Sequence, residues 1–258
     1  MYNFTLFTIL FTFFLIYLIY KNAFVNGKPH CNHFVSNVYL YLALSFSLCG
    51  IFIHLYNFIL NKKNERSILL NKDKAFQQIS SYIILAIIMT FVSIIILSTR
   101  PLFSKKGYIL NHFIWLVFIA SISITLYPYF KSSDFSVVLQ KSLIMTCIIF
   151  LFMTAIVNII PNFIKETYKK VMLGLMIALI SIIITELYLI ITNQYTKNIY
   201  SFISYFVIIL FSLFIMYDTS RLYHYASICI NSPNYPLVTT NLFLDILNIF
   251  VRLLGNSK

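Results

Sequence analysis

Asn241, Asp245, Asn248 and Arg252 follow one another at spacings of four, three and four, in and just before the apolar stretch FLDILNIFVRLLG (residues 243–255). On a helix those spacings align the four side chains in one stripe. The other faces carry Leu, Ile, Phe and Val, so the segment reads as an apolar helix with a single polar seam. A second carboxylate, Asp218, lies in FIMYDTSRLYHYA, with Arg221 three residues on and able to pair with it. Placing an Asp at mid-bilayer costs on the order of 3 kcal/mol on insertion scales, so such residues face a protein interior or a wet cavity. The stretch between the two segments holds Asn231, Ser232, Pro233, Asn234 and Pro236. Asp218 and Asp245 lie 13 to 14 residues to either side of its midpoint. An antiparallel hairpin would bring both carboxylates to one depth.

Two close carboxylates in a low dielectric cannot both ionise cheaply, and they tend to share a proton. Such a pair senses pH, or holds a cation that takes the proton's place. Calcium prefers hard oxygen ligands, and Asn241 and Asn248 offer further oxygens. The plainer reading of the same stripe is polar glue between helices. Arg221 and His224, read plainly, snorkel at a helix end. No nucleophile–base–acid set, metal triad or Gly-rich phosphate loop appears, and the chain has only 5 glycines. No enzyme activity and no resident cofactor are therefore expected, with Ca2+ at Asp218 and Asp245 as a permeant or bound ion.

The elements that position these residues follow from composition. The 258 residues are 60% hydrophobic and 10% charged, whereas soluble domains carry roughly 25% charged residues. The chain cannot cover a water-facing surface, which makes it an integral membrane protein. Its net charge of +12 is spread over the connections between apolar runs; without a dense basic patch it does not point to nucleic acid. Eight runs approach the 20 or so residues needed to cross a bilayer: 4–20, 36–60, 81–98, 109–130, 137–160, 171–192, 199–225 and 237–254. In lipid every backbone group must be bonded within the segment, so such runs become helices. Prolines 29, 101, 128, 161, 233 and 236 fall at or near their ends. Residues 61–80 form the longest polar interruption, and Glu65, Asp73, Asp134 and Glu166 read as solvated loop carboxylates. Glu186 is a third carboxylate in or at the edge of a span.

Lys21 follows the first run, which by the positive-inside rule places the N-terminus outside and Lys21 inside. The sequon Asn3-Phe4-Thr5 would then face a lumen. Counted over all connections, Lys21 included, the two sides hold nine and eight Lys and Arg, which decides nothing. Cysteines 31, 49, 147 and 229 show no C-x-x-C spacing and define neither a disulfide framework nor a redox compartment. His30-Cys31-Asn32-His33, on one short loop, is a weak metal tract.

Tyr217-Asp218-Thr219 and Leu242-Phe243-Leu244-Asp245-Ile246-Leu247-Asn248-Ile249-Phe250 resemble, in order and separation, the last two helices of the transmembrane Bax inhibitor motif family. Asn37-Val38-Tyr39 with Leu42 and Leu44 looks like the family's first helix, and Ser136 to Ala155 like its fourth. The resemblance covers about residues 34–255 and implies an all-α membrane protein. Its core would be a seven-helix bundle with a central C-terminal helix (34–258), preceded by a hydrophobic anchor and short loop (1–33). It further implies a pH-sensitive calcium leak across an internal membrane, the ER or Golgi, that modulates cell death. The family's aspartate pair maps onto Asp218 and Asp245, with Asn241, Asn248 and Arg252 as the supporting seam. Arg100, in LSTRPLF, best matches the base that locks the gate, and Arg221 is the other candidate. Phe243 replaces the family's tyrosine, and Glu186 has no counterpart there.

Other readings use the same residues. A survival factor could act without conducting, by binding membrane-resident cell-death regulators. A proton-coupled transporter would also bury carboxylates, but more often shows repeats and broken helices. A seven-helix receptor would usually end its last span in an N-P-x-x-Y-like motif, absent here.

Overall fold

The computed structural model describes residues 2–67, 72–104, 108–131, 136–159, 168–229 and 232–256. Its elements are helices joined by short connections: α1 (Tyr2–Ala23), a small hairpin β1 (Phe24–Val25) and β2 (Lys28–Pro29), α2 (Phe34–Ser67), α3 (Lys72–Ser98), α4 (Tyr108–Lys131), α5 (Ser136–Ile159), α6 (Tyr168–Ile191), α7 (Lys197–Ser227) and α8 (Tyr235–Asn256). All eight helices are long and apolar enough to span a membrane. Each corresponds to one of the eight apolar runs. α2 and α3 extend beyond theirs, so Glu65 and Asp73 stand on helix rather than in a loop. A helix started in the apolar part continues outward because the flanking Lys, Asn, Glu and Arg allow it, at only weak cost in propensity. Asp134 and Glu166 lie outside the described residues.

The chain forms two compact units. The first holds α1 to α4, the 228–234 connection and the start of α8. The second holds α5 to α7 and α8 from Asn241 onward. In the first, α1 packs on α2, and α4 packs on both α2 and α3. Thr12, Leu15, Ile19 and Ala23 form the buried face of α1, a 3.6-residue stripe, and Thr12 Oγ1 meets Ser47 Oγ of α2 at 2.5 Å. In the second unit α7 packs on α5 and α6. Serines and threonines within the spans bond mostly to their own helix: Ser45 Oγ to Tyr41 O, Thr146 Oγ1 to Ser142 O, Ser212 Oγ to Ile208 O and Thr240 Oγ1 to Pro236 O, at 2.7 to 2.9 Å. A hydroxyl that bonds back one turn needs no partner in lipid, so these residues sit in apolar spans cheaply.

The connections of the first unit are tightly built. Asn26 and Gly27, both at positive φ (52° and 72°), make the two-residue turn of the β1–β2 hairpin. Asn-Gly is the usual solution where both turn residues need that backbone. Cys31 and Cys229 form a disulfide, contrary to the sequence reading. The spacing rules that govern local motifs have no access to a pair 198 residues apart. The bond also removes Cys31 from any metal tract with His30 and His33. Backbone bonds from Ser104 N to Ser232 O (3.0 Å) and from Asn234 N to Leu102 O (2.8 Å) tie the 228–234 connection to the one after α3.

Tyr235, the first residue of α8, is fully buried beside this staple. Its hydroxyl donates to His30 O (2.5 Å) and accepts from Asn37 Nδ2 (3.1 Å). Its ring stacks on Tyr41 and lies against Phe34, at centroid distances of 5.3 and 5.4 Å. Tyr41 in turn reaches His112 Nε2 at 2.6 Å, while His112 Nδ1 lies 2.6 Å from Tyr108 O. A carbonyl only accepts, so Nδ1 carries the proton and Nε2 accepts from the Tyr41 hydroxyl. Tyr235→Phe keeps the rings but strands His30 O and one Asn37 bond. It should lower stability by about 1–2 kcal/mol, read as a lower thermal unfolding midpoint in detergent.

Candidate functional site

The second unit brings together the two carboxylates that spacing alone placed at similar depth. Asp218 comes from α7 and Asp245 from α8, and their carboxyl groups lie within hydrogen-bonding reach of each other. Asp245 is buried and Asp218 partly so. A hydrogen bond between two carboxyls requires that one of them hold a proton. No N–H or hydroxyl donates to Asp245 Oδ2, so a proton or a cation is what this oxygen can take.

Tyr217 lies one residue before Asp218, with its ring buried, and donates to Met172 Sδ on α6 at 3.1 Å. Arg221, one turn beyond Asp218, stands near enough for its charge to act on that carboxyl. Its guanidinium lies 4.9 Å from the centre of the Tyr225 ring, and its Nε donates to the Tyr225 hydroxyl.

The seam on α8 divides. Asn248 is exposed, and its Nδ2 donates to Leu244 O of its own helix at 2.8 Å. Asn241 is half-buried. Arg252 turns to a carboxylate on another helix: its Nη1 and Nη2 donate to Oε1 and Oε2 of Glu186 on α6 at 2.5 and 2.7 Å. The two-pronged geometry suits a guanidinium and a carboxylate. Arg100 stands at the end of α3 in the first unit, half-exposed.

The end of α6 explains how Glu186 gets a third hydrogen bond. Asn193 takes a positive φ of 54°. Asn193 N bonds to Ile190 O (3.2 Å) and Gln194 N to Leu189 O (3.0 Å). This is the pair of bonds that closes a helix through a left-handed residue. The reversal places the Tyr195 hydroxyl 3.1 Å from Glu186 Oε1, to which it donates. Burial and the Glu186 carboxylate push the Tyr195 phenol above the usual tyrosine range. Tyr200 packs edge-on to Tyr195 and covers Gly255, where a Cβ would run into the Tyr200 hydroxyl. Sequence reasoning singled out Glu186 and Arg252 separately. The missing signal was their separation of 66 residues, which no helix periodicity links.

The model of the family described as inhibitor of apoptosis-promoting Bax1 matches residues 31–255. The chain belongs to that family. The match begins after α1, so the first span precedes the family region. It takes in both aspartates and the Glu186–Arg252 pair. None of the curated proteins matches the sequence.

The Glu186 and Arg252 side chains are only 16% and 21% exposed. Arg252→Met should therefore cost on the order of 2–3 kcal/mol, because it leaves the Glu186 charge with no counter-ion and only the Tyr195 hydroxyl as donor. Adding Glu186→Gln should recover most of that loss, since the neutral pair no longer needs compensation. Thermal unfolding of the wild type, the two single variants and the double variant in detergent checks this.

Proposed function

We propose that this family member is a non-enzymatic, pH-sensitive calcium leak of an internal membrane, the ER or Golgi, that modulates cell death, with Asp218 and Asp245 as its proton- and ion-sensing pair. The observation that carries the reading is the carboxyl–carboxyl contact between α7 and α8 within the membrane-spanning part of the chain. With one proton between them the two groups hold the helices together. When that proton leaves, two like charges in a poorly solvated setting repel, and a cation is the species that can replace it. Calcium takes six to eight oxygens, and two carboxyls supply at most four. The pair therefore suits an ion in passage better than a resident one. Lowering the pH returns the proton and weakens the hold on a cation. Arg221 is supported as the gating base by its charge acting on Asp218. Arg100 is supported by its place in the family resemblance alone.

Calcium flux from liposomes of purified protein, compared at pH 6 and pH 8, tests the reading. The wild type should pass calcium at a rate that differs between the two pH values. Asp218→Asn and Asp245→Asn should each abolish that difference. No flux from verified, correctly inserted wild type would overturn conduction. The remaining role would be that of a survival factor that binds membrane-resident cell-death regulators. Proton uptake driven by a solute gradient, without calcium flux, would instead identify a proton-coupled transporter.

A further inference from the structure

The Cys31–Cys229 disulfide sits in a cluster of three connections. Residues 24–33 follow α1, residues 99–104 follow α3, and residues 228–234 follow α7. The disulfide and the Tyr235–His30 bond join the first to the third. The Ser104–Ser232 and Asn234–Leu102 backbone bonds, with the Phe103–Pro233 bridge, join the second to the third. This clustering has a simple topological meaning. In a chain whose eight helices each cross the bilayer, every odd-numbered helix ends on the same side. All three connections follow odd-numbered helices, so their association agrees with eight full crossings.

Redox chemistry then distinguishes the two sides. Disulfides form and persist in oxidising compartments, whereas cytosolic thiols are kept reduced. We propose that the Cys31–Cys229 end of the molecule faces an oxidising compartment outside the cytosol. The Tyr2 end of α1 and the Asn256 end of α8 then face the cytosol. In forming the bond, the two thiols give up two protons and two electrons to a disulfide-carrying oxidant of that compartment, which leaves as its dithiol. This orientation is independent of whether the protein conducts.

The assignment reverses the one suggested by Lys21, a single residue at the end of one span. It places the 61–80 stretch, with Lys62, Lys63, Arg66, Lys72 and Lys74, on the cytosolic side. Five Lys and Arg between two spans suit that side by the positive-inside rule, although the totals for the two sides are balanced. The Asn3-Phe4-Thr5 sequon then faces the cytosol and receives no glycan. The α6–α7 connection, with Tyr195 and Gln194, follows an even-numbered helix and lies on the cytosolic side too.

The test uses full-length protein in sealed microsomes with their cytosolic face outward, probed with a membrane-impermeant maleimide. Both reporters are built in a Cys49→Ser/Cys147→Ser background, which removes the two free cysteines. There Cys31→Ser leaves the Cys229 thiol as the reporter for one side, and Gln194→Cys with Cys31→Ser/Cys229→Ser reports the other, at an exposed position. Cys229 should label only after detergent opens the vesicles, and the thiol introduced by Gln194→Cys should label without it. Labelling of Cys229 in sealed vesicles, or of both sites there, would overturn the orientation. A measurement on the wild type needs no substitution. After rapid alkylation it should migrate faster without reductant than with it, and fully reduced wild-type protein from cells would equally overturn the proposal.

Discussion

A charged group inside a membrane-spanning helix is tolerated only when another group in the protein answers it. Hydrocarbon offers neither water nor counter-ion, so an unanswered carboxylate costs several kcal/mol. This chain carries three carboxylates on its α6, α7 and α8 spans, and each finds an answer of a different kind. Glu186 meets a guanidinium through two hydrogen bonds and a phenol through a third. Asp218 and Asp245 meet each other, an arrangement that works only with a proton or a cation included. The first is a closed contact in which all partners are protein groups. The second leaves Asp245 Oδ2 without a hydrogen-bond donor from the protein.

Both contacts involve α8, which accounts for its departure from its neighbours. Three-fifths of α8 is buried, against 6% of α6. A helix that faces lipid needs only apolar side chains. A helix in the interior can carry Thr239 and Thr240 buried, because backbone carbonyls of Val38 and Pro236 accept from their hydroxyls. Its first residue, Tyr235, is held by hydrogen bonds and stacked rings, and its last turn by the Arg252 pair and by Tyr200 over Gly255. The segment that bears the polar chemistry is thus fastened at both ends. The fastenings differ: one combines a disulfide with aromatic packing, the other is ionic.

The eight spans and the aspartate pair were legible from sequence because each rests on a local rule. Long apolar runs become helices since lipid leaves the backbone no alternative, and residues three and four apart share a face because of the helical period. The pairing of Asp218 with Asp245 needed one further step, a symmetric count about a short connection. Asn26-Gly27 also carried a local signal for the hairpin turn that the structure shows.

What the sequence determined by itself was therefore the membrane class, the helices and the polar face of the last one. The tertiary structure decided the partners: Cys229 for Cys31, Glu186 for Arg252, and the backbone of its own helix for Asn248. Periodicity relates residues within one helix and hairpin symmetry relates neighbours, but neither reaches across 66 or 198 residues. At those separations, which side chains meet depends on how whole helices pack, and that depends on surfaces contributed by every span at once.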